Sequence, residues 1–173
     1  MKIVHTFVQG LYSFKYSDEY FDELERLLDE WNDIGVLREF FEENSKDLNY
    51  YQLGVDDAIS ETRKEAAGLR KKLIALTSQE IPDLNSIFVN LDDNEWRIFE
   101  LAKQKSKRRW LRLYALRIES NAYVITGGAI KLTHKMETRP HTIKELDKLE
   151  FCRNYLKDQG VFDIDSFNEL DIR

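Results

Sequence analysis

The residues best placed by type and spacing to do chemistry lie between Lys103 and Lys135. Lys103, Lys105, Lys107, Arg108, Arg109, Arg112 and Arg117 precede the first acid, Glu119, and Trp110, Tyr114 and Tyr123 are interleaved with them. Lys131, Thr133, His134 and Lys135 follow. Cations alternating with rings on extended chain suit an RNA backbone and its bases: the cations hold phosphate and the rings stack. Metal-independent RNA cleavage also needs a base for the ribose 2′-OH, a cation for the developing phosphorane charge and an acid for the leaving 5′-oxygen. Arg109, Arg112, Lys131 and Lys135 are the candidate cations, and Tyr114 is suited to stack a base or orient a proton. His134 is the best proton-transfer candidate, its ordinary pKa being near 6.5. The other histidines are His5 and His141. No HExxH, paired CxxC or glycine-rich phosphate loop is present, so no metal and no cofactor is expected.

Charge is distributed unevenly. The net charge is −6, yet residues 101–140 hold ten Lys/Arg against two Asp/Glu, whereas residues 1–60 hold five against fourteen. Such a chain can hold a polyanion at one place while the rest stays soluble. The competing account is that the cations pair with the chain's own acidic N-terminal half. One cysteine, Cys152, excludes an internal disulfide, and its place on a helical stripe makes it a core residue. No apolar run reaches membrane-spanning length, and no signal peptide is read at the N-terminus, so a cytoplasmic protein with no membrane partner is expected.

The elements that must position these residues follow from periodicity. With 173 residues, 42% of them hydrophobic, a single α+β domain over 1–173 is expected. Residues 3–16 read as an opening strand broken at Gly10. Ser17 is read as an N-cap for a helix carrying Tyr20, Phe21, Leu24, Leu27, Leu28 and Trp31 at helical spacing. The break at 32–35 and a second helix through Phe40 and Phe41 make a helical hairpin. Residues 44–54 read as a loop, and 56–77 as a helix whose outer side bears Arg63, Lys64, Arg70, Lys71 and Lys72. That run is either a solvated face or a second nucleic-acid contact. Residues 82–94 read as a connection and Trp96–Ala102 as a strand in preference to one helical turn.

Residues 109–118 alternate. Leu111, Leu113 and Ala115 are expected beneath helices, with Trp110, Arg112, Tyr114 and Leu116 on an open face. A turn at 119–121 leads to a strand over 122–132, in which Gly127-Gly128 marks a bulge, a close backbone approach or a bend. Thr142 and Glu145 read as a capping box for a last helix with Ile143, Leu146, Leu149, Cys152 (or Phe151) and Leu156 as its apolar stripe. The tail 161–173 is expected to dock weakly.

The segment ITGGAIKLTHKMETRP (125–140) resembles the strand end of RelE/HigB-like toxins of type II toxin–antitoxin systems. RWLRLYALRI (109–118) resembles that family's arginine-and-aromatic strand. The resemblance runs roughly from Trp96 to Lys157, with 45–90 as a helical insertion. Lys131, Thr133 and Lys135 match the family's first lysine, threonine and later lysine, and Arg112 and Tyr114 match its earlier arginine and aromatic. Leu132 stands where a second lysine is expected, and His134 where glutamine is common. The resemblance implies a small antiparallel sheet packed on an N-terminal helical hairpin, with an inserted helix and a C-terminal helix. It implies a ribosome-associated mRNA endonuclease that inhibits translation, with a cognate antitoxin and RNA or the ribosome as partners. Arg112, Lys131, His134 and Tyr114 would then be catalytic, and Lys107, Arg108, Arg109, Trp110 and Lys135 would bind RNA. A non-catalytic RelE-fold module for nucleic acid or protein, and a ParE-like gyrase inhibitor, are the alternatives.

Overall fold

The computed structural model describes residues 1–90, 100–104, 110–133, 139–170 and 172, with backbone alone for 89, 90 and 100–104. The chain opens with two antiparallel strands, β1 (Lys2–His5) and β2 (Leu11–Lys15). Gly10 closes the link between them at φ +78°, where a Cβ would stand 2.4 Å from Asn121 O. The loop therefore needs glycine for both its backbone and its space.

Asp22, not Ser17, caps α1 (Glu23–Glu30): its carboxylate accepts from the N–H groups of Leu24 and Glu25. Ser17 instead accepts from the N-terminal amine of Met1. Asp33 caps α2 (Ile34–Glu43) by accepting from Val36 N–H. The expected loop after α2 contains a helical turn, α3 (Ser45–Leu48), and a 3-10 turn (Asn49–Tyr51). Then comes the long α4 (Val55–Leu76). The connection after Pro82 holds β3 (Phe88–Asn90). β4 (Glu100–Gln104), β5 (Leu111–Glu119) and β6 (Ala122–Ile130) follow, and α5 (Pro140–Asp158) and α6 (Ile164–Asn168) end the chain.

The class is α+β, but the sheet is neither small nor wholly antiparallel. Its six strands run β1-β2-β6-β5-β4-β3, and β2 lies parallel to β6. Both faces are covered. On one, Leu24, Leu27, Trp31, Phe41 and Leu73 from the helices meet Leu111, Leu113, Ala115 and Ile125. On the other, Leu149, Cys152 and Leu156 of α5 and Phe167 of α6 meet Phe14, Tyr114, Leu116 and Val124.

The expectation of an open sheet face is thus corrected. The stripe of α5 had to be buried somewhere, and the second face of the sheet is where it lies. The tail is likewise corrected, because Phe167 is fully buried. No capping box forms at α5: Arg139 is the N-cap, Thr142 Oγ1 donates to Arg139 O, and Glu145 turns into the protein.

Candidate nucleic-acid interface

The end of the β5–β6 hairpin away from its turn brings Arg112 of β5 near Lys131, which directly follows β6. Leu111 pairs with Ile130 and Arg112 with Ala129, and Lys131 N–H donates to Trp110 O at 2.7 Å. Leu111 and Ile130 belong to the first core and Tyr114 and Ala129 to the second, so Arg112 and Lys131 leave their strands on the α5 side. In this register they are diagonal neighbours, with Cα atoms roughly 7–8 Å apart. Both are half-buried. Arg112 Nη1 donates to Leu111 O at 2.8 Å.

This rim is closed on one side by the 3-10 turn. Tyr51 donates through its hydroxyl to Leu132 O at 2.9 Å and sets its ring edge-on to Trp110. Tyr50 packs edge-on against Tyr51 yet is 77% exposed. Burial raises the Tyr51 phenol, and the Arg112 charge partly offsets that, which places Arg112 within electrostatic reach of it.

Other groups near the rim are committed to the fold. Arg139 grips Asp47 with two bonds, 2.7 Å from Nε and 2.6 Å from Nη2. His141 Nε2 lies 2.9 Å from Ile130 O, so this nitrogen must carry the proton. Burial holds the His141 imidazole below its ordinary value.

The expected site is therefore only partly assembled. Arg112 and Lys131 come together. Tyr114 does not join them: it is 1% exposed beneath α5, its hydroxyl has no partner among the described residues, and burial pushes its phenol upward. As a proton carrier or stacking ring for RNA it is withdrawn. Trp110 is withdrawn as an RNA contact for the same reason. It is 2% exposed, packs against Phe41, and donates from its indole to Thr62 Oγ1 at 2.9 Å. Tyr123 is buried too, stacked on Phe88. Lys107, Arg108, Arg109, His134 and Lys135 lie outside the described residues. The exposed ring that sequence reasoning missed is Tyr50; the only signal was a tyrosine pair in a segment read as a loop.

A second cluster sits where the sheet divides. The β2–β6 pairing spans just three residue pairs, ending at Ser13 with Ile125. Beyond it Tyr16 donates to Thr126 O at 2.9 Å and lies 3.1 Å from Cys152 Sγ. Through this gap the carboxylate of Glu23, from the first layer, reaches Lys148 of α5 at 2.6 Å. Arg26 holds the same carboxylate with two bonds. Burial acts to raise Glu23, but Arg26 and Lys148 outweigh it and hold the group below its ordinary value.

Glu145 lies 3.4 Å from Lys148, and its Oε2 has no hydrogen-bond partner among the described residues. Burial raises its carboxyl. The Cys152 thiol is pushed up to about 12, chiefly by burial. A thiol held so far above neutral pH is an inert core group. The Gly127-Gly128 expectation resolves here. A Cβ on Gly127 would meet Glu145 Oε2 at 2.0 Å, and one on Gly128 would meet Leu27 Cδ1 at 2.8 Å. Thr126 is the bulged residue between the Tyr114–Gly127 and Ala115–Ile125 pairs.

The fold and rim together define an α+β protein with a cationic end to its central hairpin. No family model matches the chain, and no similar curated protein or solved structure was found. No helix among the described residues is long and apolar enough to cross a membrane.

Proposed function

We propose that this chain is a RelE/HigB-like protein directed at RNA, which it holds at the outer end of the β5–β6 hairpin. The observation that carries the reading is the meeting of Arg112 and Lys131 on adjacent strands at one end, to which Tyr51 ties the turn that bears the exposed ring of Tyr50. Two cations and a stacking ring suit a single strand: the cations neutralise phosphate, and the ring takes a base without regard to its identity. The sequence supports the same place, since Lys107-Arg108-Arg109 lead into Trp110 and His134-Lys135 follow Thr133. A cytoplasmic target and a cognate antitoxin belong to this reading.

A second reading adds cleavage of mRNA on the ribosome. What favours it is His134, directly after the rim in sequence and the one remaining candidate for proton transfer once Tyr114 is withdrawn. Induced expression tests both. Arrest of growth with translation failing before DNA supercoiling is expected, and Arg112→Gln with Lys131→Gln should relieve it. His134→Ala separates the two: arrest lost with RNA binding retained assigns cleavage. Undiminished arrest in the Arg112/Lys131 double variant contradicts the proposed site.

A further inference from the structure

The outer side of α4 is a charged feature that the rim leaves unexplained. The helix buries Ala58, Thr62, Ala66, Leu69, Leu73 and Leu76. On the opposite side Arg63, Lys64, Arg70, Lys71 and Lys72 are all exposed. Helical geometry sets Arg63 and Arg70 on one line and Lys64 and Lys71 on the next, each pair roughly 10.5 Å apart along the axis. Ala67 and Gly68 lie between them, both exposed, and a Cβ on Gly68 would meet nothing within 4 Å.

The neighbouring carboxylates neutralise this face only in part. Glu61 pairs with Lys64 at 3.1 Å, and Asp56 with Arg38 at 2.7 Å. Arg63, Arg70, Lys71 and Lys72 form no ion pair among the described residues. The inner side of the same helix is tied to the strand end that carries the rim. Thr62 holds the indole of Trp110, and Trp110 O holds Lys131 N–H. A groove of about 550 Å³ between the start of α2 and α4, with Arg38 on its wall, opens at Arg63 and Lys64.

We propose that this side of α4 is a second RNA surface, so that a strand held at the rim continues along the helix with its phosphates between the two cation lines. The proposal rests on the RNA reading above and extends its footprint. A bilayer fits less well. Interfacial helices insert a free apolar face, whereas α4 has spent its own in the core and exposes just one large apolar side chain, Ile74.

The test is RNA affinity against salt for two oligonucleotides. One is longer than the roughly 4–16 nucleotides of a single compact site, the other near the lower limit. Three proteins are compared: wild type, the α4 triple variant Arg63→Gln/Arg70→Gln/Lys71→Gln, and Arg112→Gln/Lys131→Gln. Since all three α4 positions are exposed, thermal unfolding of the triple variant should match wild type. For the long RNA its log–log slope should become shallower by about 2, at roughly 0.7 for each phosphate no longer neutralised. For the short RNA it should not change. An unchanged slope on the long RNA overturns the proposal. So does a loss seen instead with anionic phosphatidylglycerol vesicles, or an equal loss with polyglutamate. If the rim pair is without effect while the α4 triple weakens binding, the rim reading fails and the α4 surface stands.

Discussion

Replacing Gly128 with alanine places one methyl group where three parts of the molecule converge. The new Cβ would lie 2.7 Å from Arg112 O, 2.8 Å from Leu27 Cδ1 and 3.1 Å from Trp31 Cζ2. Carbon pairs rest at about 3.5–4.0 Å, so the leucine approach is roughly 0.7–1.2 Å too short. Leu27 and Trp31 are 1% and 3% exposed and packed within the first core, where interiors are dense. Arg112 O is main chain in a central strand, and moving it disturbs the β5–β6 pairing. Overpacking of this kind costs about 1–3 kcal/mol, and alanine's lower unfolded-state entropy returns about 0.4–1 kcal/mol. Because one obstacle is backbone, we place the net loss at about 2 kcal/mol. For a chain of this size that lowers Tm by roughly 4–8 °C. Urea unfolding should show the lower midpoint with an unchanged slope. In a Leu27→Ala background the alanine should cost less, since one obstacle is gone, and the difference is the coupling energy. Stability within about 0.5 kcal/mol of wild type, the usual range for surface changes, would refute this packing.

Lys148→Met should destabilise the fold by about 2–4 kcal/mol in urea titrations. It leaves the fully buried Glu23 carboxylate with Arg26 alone, and removing one partner of a buried pair ordinarily costs about 3–5 kcal/mol. Glu145→Gln should change the pH dependence. Burial raises the native carboxyl above its ordinary 4.5, so the native state binds the proton more tightly than the unfolded chain. Its contribution is present below pH 4.5 and lost as pH rises through the raised native value, a loss the glutamine variant should lack. His141→Gln acts with the opposite sign. The native imidazole is held below 6.5, so wild type should lose stability as pH falls from 6.5 toward that lower native value, and the variant should not. Thermal unfolding at a series of pH values checks both, and parallel curves for wild type and variant would contradict the respective assignment.

What the sequence made legible were elements with a strong local period. The break at Gly10, the span of α4, the hairpin turn before Ala122 and the later part of the α5 stripe follow from patterns that local physics sets, whereas Ile143, expected in that stripe, is exposed. What it hid was where the α5 stripe docks. The alternation in β5 separates two sides correctly, but nothing in LRLYALRIE says that both are covered. An arginine and a tyrosine on one side suggested solvent. In the structure Tyr114 lies wholly under α5, and Arg112 is half-exposed because it stands nearest the hairpin's outer end. Trp110 misled for a related reason: a ring between basic residues looks like a base platform, yet it anchors α4 through Thr62. The Glu23–Lys148 link joins residues 125 positions apart through a gap in the sheet, and no local spacing signals it.

The most direct test of the RNA assignment is a salt titration of single-stranded RNA binding by wild type and by the Arg112→Gln/Lys131→Gln variant. Wild-type affinity should fall steeply with salt, and the variant's slope should be shallower by about 1.4, at roughly 0.7 for each of the two phosphates left without its cation. A flat salt response in wild type, or identical slopes for the two proteins, would contradict RNA binding at the rim.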